Sequence, residues 1–215
     1  MDYRSTDVDE TGKPFPRGEI CFKGHSNFLG YFKLPDKTAE AIDEKGWIHT
    51  GDIGAILPNG ALKIIDRKKN IFKLAQGEYI APEKLENSYS KIDIVKQIFI
   101  YGDSLQSTLV SVIVPEESEV VKSATEKGLD ASNMDEFLKS KEWLEIVNTK
   151  FEAAKREYKF SGLEIPKKYY FTREEFTLEN GLLTPTMKLK RNDARNKFYD
   201  QIKEMYDGAK LQGEE

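Results

Sequence analysis

Ile53-Gly54-Ala55-Ile56-Leu57-Pro58-Asn59-Gly60-Ala61-Leu62-Lys63-Ile64-Ile65 runs directly into Asp66-Arg67-Lys68-Lys69-Asn70. Two apolar, β-branched runs flank Pro58-Asn59-Gly60, and Asn-Gly between such runs is a strong local signal for a β-hairpin. The polar knot that follows separates this hairpin from a further apolar run, Ile71-Phe72-Lys73-Leu74, ahead of Gln76-Gly77-Glu78. The change of texture places a domain boundary at Asp66, with a β-rich segment over 1–65 and a small α+β domain over 66–215. Upstream, Glu19-Ile20-Cys21-Phe22 reads as another strand. Pro35-Asp36-Lys37-Thr38-Ala39-Glu40-Ala41-Ile42 reads as a short helix, because proline sits early and good helix formers follow. Residues 1 to 17 carry Gly12, Pro14 and Pro16 without periodicity and read as an extended entry. A domain of 65 residues of strands and loops would be marginal alone, so the front part is expected to be the tail of something larger.

Downstream of the boundary, Ala81-Pro82-Glu83-Lys84-Leu85-Glu86 opens a helix, with proline in the first turn and acids at the positive end. Val95 to Tyr101 and Leu109 to Val114 are β-rich and flank Gly102-Asp103-Ser104, as in a hairpin or short crossover. Met134, Phe137, Leu138, Leu144, Val147, Phe151 and Ala154 fall at helical spacing, as do Ala194, Phe198, Ile202 and Met205. The fold class is therefore α+β. The segment from Asp207 to Glu215 is expected to fray.

The composition excludes several classes. With 39% hydrophobic residues, a 215-residue chain can bury roughly 70% of its unfolded surface, which excludes wholesale disorder. The 37 acidic and 33 basic residues give a charge of −4 and are interspersed, with no aromatic-rich RNA-binding or zinc-finger pattern, so nucleic acid is not an expected partner. Cys21 is the lone cysteine and no His/Cys cluster has zinc-site spacing, so no metal ligands are expected and a reducing compartment is the default. There is no apolar signal core at the start, nor any stretch near the roughly 20 apolar residues of a membrane span. A soluble, non-secreted chain is expected.

Three segments could carry chemistry. Gly46-Trp47-Ile48-His49-Thr50-Gly51-Asp52 sets an acid between glycines just before a strand. A carboxylate accepts two hydroxyl hydrogens at once, which suits a ribose diol, but a turn acid bonding its own backbone would look the same. His49 has no second His or Cys near in sequence and reads as structural. Asp66-Arg67-Lys68-Lys69 reads as a solvated turn, a basic patch or a hinge, since a short polar link between two blocks can absorb a rigid-body rotation. Asn180-Gly181-Leu182-Leu183-Thr184-Pro185-Thr186-Met187-Lys188-Leu189-Lys190-Arg191 is a turn leading into a basic cluster. A lysine there could meet phosphate or a reacting carboxylate, or be plain solvated surface.

Taken together and in order, these segments resemble the adenylate-forming (AMP-binding) acyl-CoA synthetase superfamily, most closely its long-chain fatty-acid branch. The resemblance rests on Gly18-Glu19-Ile20 through Gly24 and Gly30-Tyr31, Gly46 to Asp52, Asp66 to Lys73, Gln76 to Glu86, Tyr101-Gly102-Asp103-Ser104 and Leu183-Thr184-Pro185-Thr186-Met187-Lys188. It covers nearly the whole chain, and Gln76-Gly77-Glu78-Tyr79 and Leu183-Thr184-Pro185-Thr186 point to the long-chain branch. The family joins a fatty acid to ATP with magnesium, giving acyl-AMP and pyrophosphate, and then passes the acyl group to the thiol of CoA.

The resemblance implies roles. Asp52 and Arg67 would hold the AMP ribose, and Asp66 would be the hinge of a small mobile C-terminal domain. Lys188 would serve adenylation. Lys73 would then face the acyl-adenylate, with Gln76, Gly77 and Glu78 bordering the CoA passage. The family's Gly-rich phosphate loop, adenine-binding segments and acyl pocket are not in this sequence, so the chain resembles a C-terminal third, expected to be inactive without the large domain. The resemblance also implies an intracellular location, at the cytoplasmic face of the endoplasmic reticulum or another membrane. A non-catalytic CoA- or partner-binding module with the same fold is the alternative.

Overall fold

The structure, a computed structural model, describes residues 17–129 and 133–213. The extended entry expected over residues 1 to 17 lies outside the described residues except for Arg17. The chain divides into two units, with the change between Ile71 and Phe72. Asp66, where the sequence sets the boundary, lies within the last strand of the first unit.

In the first unit, strands β1 (Arg17–Phe22), β2 (Ile48–Ile56) and β3 (Leu62–Arg67) form an antiparallel sheet with β2 central. The β2–β3 hairpin turns through Pro58-Asn59-Gly60. Leu57 donates its N–H to the carbonyl of Ala61, and Gly60 donates to that of Leu57, both at 2.9 Å. Gly60 has φ +79°, the left-handed position that a three-residue hairpin loop assigns to glycine. Helix α1 (Pro35–Ala41) starts on its proline. β2 begins earlier than the sequence reading, because Cys21 and Phe22 of β1 pair with His49 and Ile48 and carry the ladder past a bulge. Asp52 therefore lies inside a strand rather than ahead of one. Ile48, Ile53 and Ala55 are buried, while Ile56, Leu62 and Ile64 are exposed, so the interior of this unit is small.

The second unit opens with a tight hairpin, β4 (Phe72–Lys73) and β5 (Tyr79–Ile80), followed by α2 (Pro82–Tyr89). Its main sheet has the order β6 (Val95–Tyr101), β7 (Leu109–Pro115), β8 (Pro166–Phe171). β6 and β7 are antiparallel, the hairpin of the two readings the sequence allows, and β7 and β8 are parallel. A parallel neighbour needs a long crossover. It is supplied by α3 (Glu117–Glu126), α4 (Met134–Phe137) and α5 (Lys141–Tyr158). Helices α6 (Arg191–Lys197) and α7 (Tyr199–Met205) follow β8.

Strand alternation sorts the sheet's side chains onto two faces. Ile98, Ile100, Leu109 and Ile113 join a core with Leu85 and Tyr89 of α2 and Trp143, Val147 and Phe151 of α5. Phe99, Val110, Val112 and Val114 join a second core with Ala194 of α6 and Ile202 and Met205 of α7, together with Phe198 between those helices. All of β7 is buried, as a central strand covered on both faces requires. Tyr89 stacks on Phe151 with centroids 4.5 Å apart, and its hydroxyl donates to the carbonyl of Glu164 at 3.1 Å. Burial drives the Tyr89 phenol pKa far upward.

Three further sequence expectations need correction. The helical spacing from Met134 to Ala154 spans two helices, because the Ser140 side chain accepts the N–H of Trp143 at 3.1 Å and starts α5 afresh. The spacing from Ala194 to Met205 likewise spans two helices, parted at Phe198, whose φ of −102° and ψ of 20° leave the helical region. The tail up to Gly213 is anchored rather than frayed. Leu211 is buried, and the N–H of Gln212 donates to both carboxylate oxygens of Asp103, at 3.1 and 3.0 Å.

Candidate functional site

The β2–β3 register sets Asp52 opposite Arg67. Arg67 Nε lies 3.0 Å from Asp52 Oδ1 as an ion pair, and its Nη1 donates to the carbonyl of Thr50 at 3.1 Å. Among the described residues no hydrogen bond or ion pair engages Asp52 Oδ2 or Arg67 Nη2. The pair thus presents one acceptor and one donor side by side, a combination able to grip neighbouring hydroxyls. Gly51 has φ +70° and its carbonyl accepts the N–H of Lys68 at 2.7 Å, which holds β3's exit against β2.

Asp66 is buried at 3% exposure, and its Oδ1 accepts the N–H of Arg67 at 2.6 Å and Nδ2 of Asn70 at 3.3 Å. Arg67 and Asn70 are further tied by the Asn70 N–H donating to the Arg67 carbonyl at 2.9 Å. The polar knot is thereby folded on a buried carboxylate instead of being a loosely solvated run.

In the second unit the β4–β5 hairpin holds the other candidates. Leu74 N–H donates to the Glu78 carbonyl and Gly77 N–H to the Leu74 carbonyl, both at 2.8 Å, and Gly77 turns the chain with φ +92°. Gln76 Nε2 donates to the carbonyl of Ser107 at 3.0 Å, and Ala75 N–H to that of Gln106 at 2.9 Å, so the hairpin tip is moored to the β6–β7 loop. Glu78 is half-buried. Lys73 is exposed, and its ammonium lies 5.6 Å from the ring centre of Tyr79, its cross-strand partner.

Lys188 sits in a loop pinched by an antiparallel bridge between Leu183 and Leu189. Thr184 N–H donates to the Lys188 carbonyl at 2.8 Å, and Lys188 N–H donates to Thr184 Oγ1 at 3.1 Å. Pro185 takes the second position of the Thr184–Met187 turn, where its fixed φ fits. Met187 has φ +59°, a left-handed conformation that costs a non-glycine residue about 1–2 kcal/mol, held here by that ring of bonds. Among the described residues the Lys188 ammonium makes no hydrogen bond or ion pair, and the side chain is exposed. Asp52, Asp66 and Arg67 belong to the first unit; Lys73, Gln76, Gly77, Glu78 and Lys188 belong to the second.

Two clusters escaped the sequence reading. Asp103 is buried and collects Tyr101 Oη at 2.9 Å, Leu105 N–H at 3.0 Å and the Gln212 N–H, tying the β6–β7 loop to the tail. Its signal was the short Gly102-Asp103-Ser104 turn, whose partner lies 109 residues away. Cys21, Glu19 and His49 meet across the β1–β2 ladder, although His49 reads as isolated along the chain. Their separation of 28 and 30 residues hides the contact, and only the strand register reveals it.

No protein-family model matches the chain. It is 50% identical over 207 residues, 96% of its length, to the peroxisomal long chain acyl-CoA synthetase 6 of Arabidopsis thaliana, and spans 29% of that protein. It is 49% identical over 197 residues to the human long-chain-fatty-acid–CoA ligase 1, covering 90% of this chain and 28% of that one. Among solved structures it is similar to the A domain of carboxylic acid reductase from Segniliparus rugosus in complex with AMP and a co-purified carboxylic acid. That likeness has a TM-score of 0.75 at 32% identity, covering 96% of this chain and 30% of that one. The chain thus spans under a third of the length of the relatives it matches. Sequence agreement of this depth, over nearly every described element and with an adenylation-domain fold, makes the chain part of the long-chain acyl-CoA synthetase family of adenylate-forming enzymes.

Proposed function

We propose that this chain is the C-terminal part of a long-chain fatty-acid–CoA ligase, which joins a fatty acid to ATP and then to CoA through an acyl-AMP. Asp52 Oδ2 and Arg67 Nη2 take the ribose hydroxyls of AMP, the carboxylate accepting and the guanidinium donating. Lys188 brings a compact positive charge to the carboxylate and phosphate as adenylation proceeds, with magnesium accompanying ATP. Asp66 is the hinge about which the smaller domain changes orientation. In the second orientation Lys73 faces the acyl-adenylate, and the Gln76-Gly77-Glu78 tip borders the passage for CoA. Alternating one domain between two tasks assembles each site only when it is needed.

The observation that carries this reading is the Asp52–Arg67 pair at 3.0 Å, with one unengaged acceptor and one unengaged donor on adjacent strands. An A domain of similar fold binds AMP and a carboxylic acid, which supports a nucleotide ligand of this kind. The exposed, unpaired ammonium of Lys188 supports a group reserved for substrate. No helix among the described residues is long and apolar enough to cross a membrane. The compartment we propose is intracellular; one similar plant protein is named as peroxisomal.

The test is to incubate the chain with ATP, magnesium, palmitate and CoA, alone and joined to the large domain of a relative. Pyrophosphate and acyl-CoA are then measured. Product from the joined protein alone supports the reading. Silence in both arms, with both proteins folded, would favour a non-catalytic binding module.

A further inference from the structure

Glu19 and Cys21 lie on β1 on either side of a bulge, and Cys21 pairs directly with His49 of β2. The bulge aims both side chains at the same imidazole. His49 Nδ1 is 3.4 Å from Cys21 Sγ and 3.3 Å from Glu19 Oε2. The three donor atoms lie within 4.8 Å of one another, the only such group among the described residues. On the far side of the ring, His49 Nε2 is 3.6 Å from Asp43 Oδ2.

We propose that Glu19, Cys21 and His49 form a binding site for a zinc-type divalent cation, with Asp43 orienting the histidine. The two separations from His49 Nδ1 match the ion. Zinc bonds of about 2.3 Å to sulfur and about 2.0–2.1 Å to nitrogen or oxygen, at tetrahedral angles, set S···N near ~3.5 Å and N···O near ~3.3 Å. Thiolate, imidazole and carboxylate suit a borderline-soft ion. A carboxylate behind the ligating imidazole is the usual outer-shell arrangement, fixing the tautomer with Nδ1 free to bind. Three protein ligands leave a fourth position for water. Glu19 and His49 line an open cleft of about 490 Å³ beside Tyr31 and Leu34, which gives an ion a route in.

One cation already competes. Lys68 Nζ donates to Glu19 Oε2 at 2.9 Å, and this lysine is half exposed and free to swing aside. Glu19 keeps a second anchor, since its Oε1 accepts the N–H of Gly51 at 3.3 Å. Without metal the cluster is a hydrogen-bonded set in which the Cys21 thiol can share its proton with His49 Nδ1, 3.4 Å away. Binding would release that proton to solvent.

The test is a titration of the 215-residue chain with zinc alone, paired with cobalt substitution, on wild type, Cys21→Ser, His49→Gln, Asp43→Asn, Lys68→Met and a His25→Gln control. The expected result is submicromolar zinc affinity, weakened at least tenfold in Cys21→Ser and His49→Gln. Asp43→Asn falls about 10- to 100-fold, as outer-shell changes do. Lys68→Met binds tighter, His25→Gln is unchanged, and the cobalt form shows a thiolate charge-transfer band that Cys21→Ser lacks. Wild-type binding weaker than micromolar, or affinity retained when Cys21 and His49 are both replaced, overturns the proposal. Should a ligand variant unfold, the cobalt band of wild type and the direction of the Lys68→Met change still decide it: no band, or weaker binding, refutes the site.

Discussion

Replacing Gly102 by alanine places a methyl group in space that the Phe72 ring already fills. A Cβ built there would lie 2.1 Å from Phe72 Cε2 and 2.8 Å from both Phe72 Cδ2 and Leu109 Cδ2. No rotation of a methyl relieves a 2.1 Å approach, so the ring must leave its place against the core or the strand must shift. Overpacking of this kind costs about 1–3 kcal/mol. Phe72 starts the hairpin that carries Lys73 and the Gln76-Gly77-Glu78 tip, so the strain falls on the element whose placement the proposed thioester step requires. For a chain of this size, that cost lowers the melting temperature by about 2–4 °C per kcal/mol. Urea unfolding of Gly102→Ala, Phe72→Leu and the double variant checks it. The smaller leucine should recover part of the loss, giving a coupling energy of about 0.5–3 kcal/mol. Stability of Gly102→Ala within ~0.5 kcal/mol of wild type, or strict additivity of the two changes, would refute the packing argument.

Ser140→Ala removes the cap that restarts the helix at Lys141, and should cost about 1 kcal/mol in denaturant unfolding, whereas Ser140→Asp should cost little. Arg191→Met strips the ion-pair partner from Glu86, whose other oxygen accepts the Ile100 N–H at 2.8 Å, and should destabilise by about 3 kcal/mol; the double variant with Glu86→Gln should recover part of it. Burial opposes ionisation of Glu19, but its bonds to Lys68 and His49 outweigh this and hold its pKa below the usual glutamate range. Its stabilising contribution is therefore complete above about pH 4.3 and is lost as pH falls through the depressed value. Carboxyl chemical shifts followed by NMR should show the Glu19 titration move upward in Lys68→Met, and an unmoved titration would contradict the assignment of its cause.

What the sequence disclosed followed the range of the interactions. The β2–β3 hairpin, the proline starts of α1 and α2 and the β6–β7 pair are written in residues a few positions apart. β8 was not seen. Its Lys167-Lys168 and three aromatic residues carry no alternating pattern, and its place beside β7 depends on a crossover of three helices. The apolar spacing from Met134 to Ala154 continues across the break at Ser140 because both helices bury the same face against one core. Periodicity therefore ran on where capping had stopped the helix. Asp52 and Arg67 could each be named from the resemblance, but their apposition at 3.0 Å is a consequence of strand register. The same register brings Cys21 to His49, which spacing along the chain had set apart.

The proposed mechanism requires Lys188 to act in one half-reaction and not the other. The measurement is the rate of each, acyl-AMP formation from palmitate and ATP, and acyl-CoA formation from preformed palmitoyl-AMP and CoA. Both are made on the chain joined to a relative's large domain, with and without Lys188→Ala. With Lys188→Ala, adenylation should fall at least a hundredfold, about 2.7 kcal/mol of lost transition-state stabilisation, while thioester formation stays within a few-fold. Equal loss in both half-reactions, or none in adenylation, would contradict it.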